Sequence, residues 1–141
     1  MRASQRLIIE AVYASWAVQD LEPIRACVHR DAVYRQHLPP GAWPICGVVR
    51  GKREIIASLA HFLRDFDVIE YRPLKISCFD DISVSRVKIH YGHKPTGLSY
   101  ETTARKIARV EGDKIRSFEV IHDSARLRAF YEMVSRIGVD A

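Results

Sequence analysis

Three side chains in this sequence of 141 residues stand where a polar group inside an apolar run can do chemistry: His122, Lys106 and Gln36. His122 closes the stretch from Lys114, in which Arg116, Phe118, Val120 and His122 alternate onto one face. An imidazole among apolar neighbours can titrate near neutral pH and act as general acid or base. Lys106 shares a face with Tyr100, Thr102, Ala104 and Ala108 by the same alternation. Burial would disfavour its charge, and an ammonium held there could stabilise a developing oxyanion. Gln36 follows Tyr34 at alternate spacing, and its amide can hydrogen-bond a ligand carbonyl but cannot shuttle a proton as a carboxylate does. Each has a plainer reading. His122 can be a core histidine bonded to a backbone carbonyl or to Asp123, and Lys106 can snorkel to a rim.

Other chemistries lack their signatures. His29, His37, His61, His90 and His93 show no metal-ligand spacing, and Val87, Ile89 and Tyr91 form the apolar set of a strand with His90 opposite them. There is no nucleophile elbow, no Gly-rich phosphate loop and no dinucleotide fingerprint, so neither a metal nor a cofactor is expected. Cys27, Cys46 and Cys78 are an odd number without a C-x-x-C pair, which indicates neither a disulfide framework nor a zinc ribbon. The formal charge of +5 is spread rather than clustered, so no nucleic-acid partner is expected. No apolar run reaches membrane-spanning or secretory length, and a cytoplasmic protein with no membrane partner is the expectation.

The elements that must carry these residues follow from periodicity. A hydrophobic fraction of 48% supports one domain over 1–141. Ser4 is the expected N-cap of a first helix whose Ile8, Val12 and Trp16 recur every four residues, with Ile9 and Tyr13 beside them. Asp20 caps a short second helix with Pro23 in its first turn and Ile24, Cys27 and Val28 as its buried stripe. Ala32-Val33-Tyr34 reads as a brief strand, and Pro39-Pro40-Gly41-Ala42-Trp43-Pro44 as a loop. A third helix opens near Lys52, with Ile55, Ile56, Leu59, Phe62, Leu63 and Phe66 on its apolar side. Past Asp67 the period becomes two: Leu74, Ile76 and Cys78 alternate with polar neighbours, and three strands follow, from Ile82, Tyr100 and Lys114. Asp123 opens a closing amphipathic helix with Leu127, Phe130, Tyr131 and Val134. This order is α+β. It predicts a cone-shaped cup: a curved, mainly antiparallel sheet of four to six strands wrapped around three N-terminal helices, with a C-terminal helix. The hollow between the layers suits a small hydrophobic molecule.

Several of these segments resemble the nuclear transport factor 2-like superfamily, in its SnoaL-like and ketosteroid-isomerase-related branch. They are Gln19-Asp20-Leu21, Asp31-Ala32-Val33, Gly47, Gly51-Lys52-Arg53-Glu54-Ile55 and Glu111-Gly112-Asp113-Lys114-Ile115. The resemblance implies that Tyr13, Trp16, Tyr34, Leu59, Phe118, Val120 and Asp123 surround the ligand, with His122, Lys106 and Gln36 as the catalytic set. It also places Gln36, Val12 and Lys106 where the isomerases carry an aspartate base, a tyrosine and a protonated aspartic acid. None of those roles keeps its residue type, so standard steroid isomerisation is not expected. What remains is a cofactor-independent isomerase, cyclase or dehydratase moving a proton on a small carbonyl compound, or a non-catalytic ligand-binding or association module. The resemblance further implies a homodimer, for which Val87, Ile89 and Tyr91 would supply an apolar patch.

Overall fold

The computed structural model describes residues 2–140. Helix α1 (Arg2–Ala17) and helix α2 (Leu21–Cys27) lead into strands β1 (Val28–Gln36) and β2 (Gly47–Arg50). Helix α3 (Lys52–Asp65) precedes the long strands β3 (Phe66–Phe79), β4 (Ile82–His93) and β5 (Ser99–Glu111). Strand β6 (Lys114–Ile121) and helix α4 (Ser124–Asp140) end the chain's regular structure. The six strands form one curved, unclosed sheet in the order β2-β1-β6-β5-β4-β3, antiparallel except where β1 and β6 run parallel. Helix α1 packs across β3 and on α2, and α3 lies against β1, so the first three helices cover the concave face.

The local chemistry explains the boundaries. The Asp20 carboxylate accepts from the backbone N–H of Glu22 at 3.1 Å and starts α2. Gly51 sits at φ 90° before α3, a conformation that disfavours any side chain, and its N–H donates to the Ala32 carbonyl at 2.8 Å. Gly112, at φ 64°, takes the first of the two places between β5 and β6, where such a turn needs a positive φ. Asp123 accepts from the N–H of Arg126 at 3.3 Å at the start of α4. Along α4, Leu127, Phe130 and Val134 are buried, and Phe130 stacks on Tyr100 at 5.4 Å.

Several local expectations are corrected. Helix α1 already begins at Arg2, so Ser4 falls inside it rather than before it. Strand β1 starts at Val28, which ends α2 at Cys27 and makes the first strand nine residues long. Phe66 opens β3 instead of closing α3. Leu74 is exposed because the pairing of β3 with β4 slips between Pro73 and Lys75, which breaks the simple alternation. A second slip, between Arg109 and Val110, turns Ile115 into the core, while Arg116 points outward and pairs with Glu111 at 3.3 Å. Trp43, in the Pro-rich connection, is buried to 3% exposure and packs on Phe66 at 5.1 Å.

Val87, Ile89 and Tyr91 also change sides. They are 0%, 0% and 6% exposed, so they belong to the core and offer no patch to a second copy. The register gives the reason, because Val87 lies opposite Ala104 on the face that Lys106 shares. His90 points the other way, with Nδ1 3.4 Å from a Glu101 carboxylate oxygen. Cys27, Cys46 and Cys78 are all free thiols. Among the described residues no helix is long and apolar enough to cross a membrane.

Candidate active site

Between the helices and the sheet lies a cavity of about 70 Å³, walled mostly by carbon. Helix α1 gives it Val12, Tyr13 and Trp16, and α3 gives Ile55, Leu59 and Phe62. The sheet contributes Tyr34, Gln36, Tyr71, Tyr91, Lys106, Ile115 and Phe118, and His122 follows directly after β6. Nine of the ten residues expected around a ligand or in catalysis are buried or half-buried, and eight of these line this one space. Val120 is fully buried but lies outside the lining, while Asp123 is exposed and serves only as the helix cap.

The polar end has a definite order. Gln36 is 5% exposed, and its amide nitrogen donates to the Tyr34 hydroxyl at 2.9 Å. Its carbonyl oxygen lies 2.8 Å from His122 Nε2. A carbonyl oxygen only accepts, so with Gln36 in this orientation the imidazole carries its proton on Nε2. The chain then runs from His122 to Gln36 to Tyr34 and leaves the Tyr34 O–H free to donate. His122 Nδ1 is left as a buried lone pair with no partner. Tyr34 is held by stacking on Phe118 at 5.8 Å.

Lys106 sits across from this chain under different conditions. It is 4% exposed, and among the described residues it forms no hydrogen bond or ion pair. Its Nζ lies 4.9 Å from the centre of the Tyr71 ring and 5.8 Å from that of Phe118. No Asp or Glu lines the cavity to offset its charge. Burial therefore pulls the Lys106 amine down to about 7. Burial, and then the Lys106 charge, hold His122 down at about 3. The expected titration of His122 near neutrality is thus corrected: its imidazole is neutral at pH 7, and Lys106 is the group poised there. Burial raises the Tyr13 phenol to about 12, against the opposing effect of a hydrogen bond with Ser85.

The sequence reading missed much of the wall. Trp43 and Ile45 come from the Pro-rich connection, Tyr71 from a strand whose inward face was not assigned, and Tyr91 from the set expected to meet a second copy. Tyr91 accepts a hydrogen bond from Trp16 Nε1 at 3.0 Å, which fixes both aromatics in the wall. Among the described residues, no group of three or more His, Cys, Asp or Glu side chains could hold a metal ion.

An unclosed α+β cone with an internal cavity beneath its helices is the nuclear transport factor 2-like class. Residues 9–118 match the SnoaL-like domain, and the chain belongs to that family. Solved structures share the whole fold at low identity. TerC, crystallised with polyporic acid, is 20% identical with a TM-score of 0.79, over 94% of this chain and 98% of that one. A protein of Catenulispora acidiphila with a ketosteroid isomerase-like fold, in complex with trimethylamine, is 16% identical with a TM-score of 0.73, over 85% and 88%. IdmH of Streptomyces antibioticus, provisionally assigned as a polyketide cyclase, is 22% identical with a TM-score of 0.71, over 89% and 96%. No curated protein matches the sequence.

Proposed function

We propose that this protein is a cofactor-independent enzyme that moves a proton on a small, largely apolar carbonyl compound, in a reaction of the isomerase, cyclase or dehydratase kind. The observation that carries the reading is Lys106, an unpaired amine in a carbon-walled cavity. A base works best when its pKa lies near the working pH, and burial has brought this one to about 7. Lys106 takes the proton next to the substrate carbonyl. The Tyr34 hydroxyl, ordered by Gln36 and His122, donates to the oxygen on which negative charge develops. Tyr13, Trp16, Leu59 and Phe118 exclude water, and that strengthens both interactions. In this reading His122 orients and Lys106 transfers the proton.

The cavity size narrows the substrate. The cavity measures about 70 Å³. An apolar cavity of about 150 Å³ is known to admit benzene, so a steroid would require the walls to open. The test is exchange of the hydrogens next to the carbonyl of butanone in D2O, followed by NMR. Wild type should accelerate it, Lys106→Met should lower the rate about 10²–10⁴-fold, and Tyr34→Phe should lower it about 10²-fold. A Lys106→Met protein that exchanges as fast as wild type removes the proposal. Binding of butanone without exchange by wild type would favour the ligand-binding module instead.

The homodimer belongs to this proposal as well. Its apolar contact would come from the outer sheet face, where Val84 and Ile107 pair across strands and Phe79 is 60% exposed. A monomer by light scattering at micromolar concentration removes it.

A further inference from the structure

We infer that Lys106 also acts as a nucleophile, condensing with an unhindered aldehyde or ketone in the cavity to form an imine. The inference rests on the proposed carbonyl substrate and adds a covalent step to it.

Three features point to covalent chemistry rather than to proton transfer alone. First, the amine has no competing partner. No carboxylate lines the cavity, and no hydrogen bond engages Nζ among the described residues. A lysine amine is nucleophilic only when neutral, and desolvation among apolar walls is what makes it so. The shift of Lys106 to about 7 agrees with that environment. Second, the product charge has a place. A protonated imine is a cation at the same nitrogen, and the Tyr71 and Phe118 rings stand 4.9 and 5.8 Å from it. Third, hydroxyls serve both stages. Tyr34 has a free O–H for the carbonyl oxygen, and the Tyr13 hydroxyl, which meets Ser85, is buried in the same cavity.

The Nζ lone pair attacks the carbonyl carbon, a C–N bond forms, and the C=O π pair moves to oxygen, which takes up a proton as the nitrogen gives one up. The resulting carbinolamine loses its hydroxyl as water after a second proton arrives, while the nitrogen lone pair forms C=N. Amine, carbonyl and one proton give iminium and water, with no oxidant or reductant. The iminium also makes the adjacent C–H more acidic, so the covalent step serves the proton transfer.

The experiment is reductive trapping of the intact protein with butanone and sodium cyanoborohydride at pH 7, followed by peptide mapping. Lys52, Lys75, Lys88, Lys94 and Lys114 serve as internal controls, since none of them is buried. Lysines in water are protonated at this pH. The expected result is one sec-butyl group on Lys106, at least tenfold above any other lysine, and none in Lys106→Met or Lys106→Arg. Labelling of wild type spread evenly over the surface lysines, or absent from Lys106, overturns the imine. Because the map is read on wild type, it does not depend on a variant folding. The butanone exchange assay separates the two claims. Exchange without a label at Lys106 sinks the imine and leaves proton transfer standing, and a label without exchange does the reverse.

Discussion

The two faces of the sheet treat a positive charge in opposite ways. On the outer face, Lys88 and Arg72 share the carboxylate of Glu70 at 3.4 and 3.6 Å, and Arg109 meets Asp81 at 3.3 Å. These side chains remain substantially exposed, so water carries most of their solvation and each pair contributes little. On the inner face of the same sheet, Lys106 is 4% exposed, and no carboxylate lines its cavity. A paired, hydrated cation is chemically quiet. A buried, unpaired one destabilises the fold, and its proton comes off near neutrality.

The largest expected effect breaks that contrast at its inner side. Lys106→Met keeps the length of the side chain and removes the charge. Butanone exchange should fall by about 10²–10⁴-fold, the usual worth of a positioned acid or base. Stability should move the other way. The folded-state pKa of about 7 lies below the unfolded value of about 10.4, so the folded protein resists protonation across that window. The cost is therefore fully present below pH 7 and is relieved as pH rises. Urea unfolding should find Lys106→Met more stable than wild type at pH 7. The gap should shrink by about 1.4 kcal/mol per pH unit toward pH 10. A gap independent of pH would mean that the amine is not buried as described.

Next in size is the wall itself. Trp43 packs on Phe62, Phe66, Tyr91 and Tyr131 at 5.1 to 6.4 Å between ring centres. Trp43→Ala should cost about 3–5 kcal/mol in urea unfolding, as for other large core aromatics. It should also admit bulkier ketones, and a cost below about 1 kcal/mol would show the Pro-rich segment to be mere surface.

Trp43 also marks where the sequence stops being legible. The change from a period of 3.6 to a period of 2, the Asp20 cap and the Gly112 turn are local signals, and they give the right elements. Trp43 sits among Pro39, Pro40, Gly41 and Pro44, whose breaker content says loop but not whether the loop folds inward. His29, Arg30 and Asp31 hide the first half of β1, because an edge of polar residues carries no alternation. Alternation grouped Val87, Ile89 and Tyr91 correctly but could not say which face they occupy. Only the pairing of Val87 with Ala104 does that, and register is a long-range property. Lys106 alternates with Ala104 and Ala108, and all three are buried together. Its lack of a partner depends on what α1 and β3 bring opposite, which one strand's sequence does not encode.

A smaller effect sharpens the contrast in acid. The folded-state pKa of His122, about 3, lies below the unfolded value of about 6.5. Unfolding therefore takes up a proton between those values, and stability falls as pH drops through that window. From pH 6 to pH 5, wild type should lose about 1.4 kcal/mol more than His122→Asn in urea unfolding. Parallel slopes would mean that the imidazole is hydrated and that the chain to Gln36 and Tyr34 is open to solvent.

The smallest effect tests the outer face. Glu70→Gln leaves Lys88 and Arg72 without their shared carboxylate, yet both keep access to water. Half-exposed pairs measure about 0.2–1 kcal/mol, and the freed cations remain hydrated. The variant should unfold within about 0.5 kcal/mol of wild type and exchange butanone at the wild-type rate. High salt should change wild-type stability equally little through this pair. A loss of several kcal/mol, or a lower exchange rate, would mean that the outer charges reach the cavity through the strand they share. In that case the unpaired state of Lys106 would be set by both faces of the sheet together, and not by its burial alone.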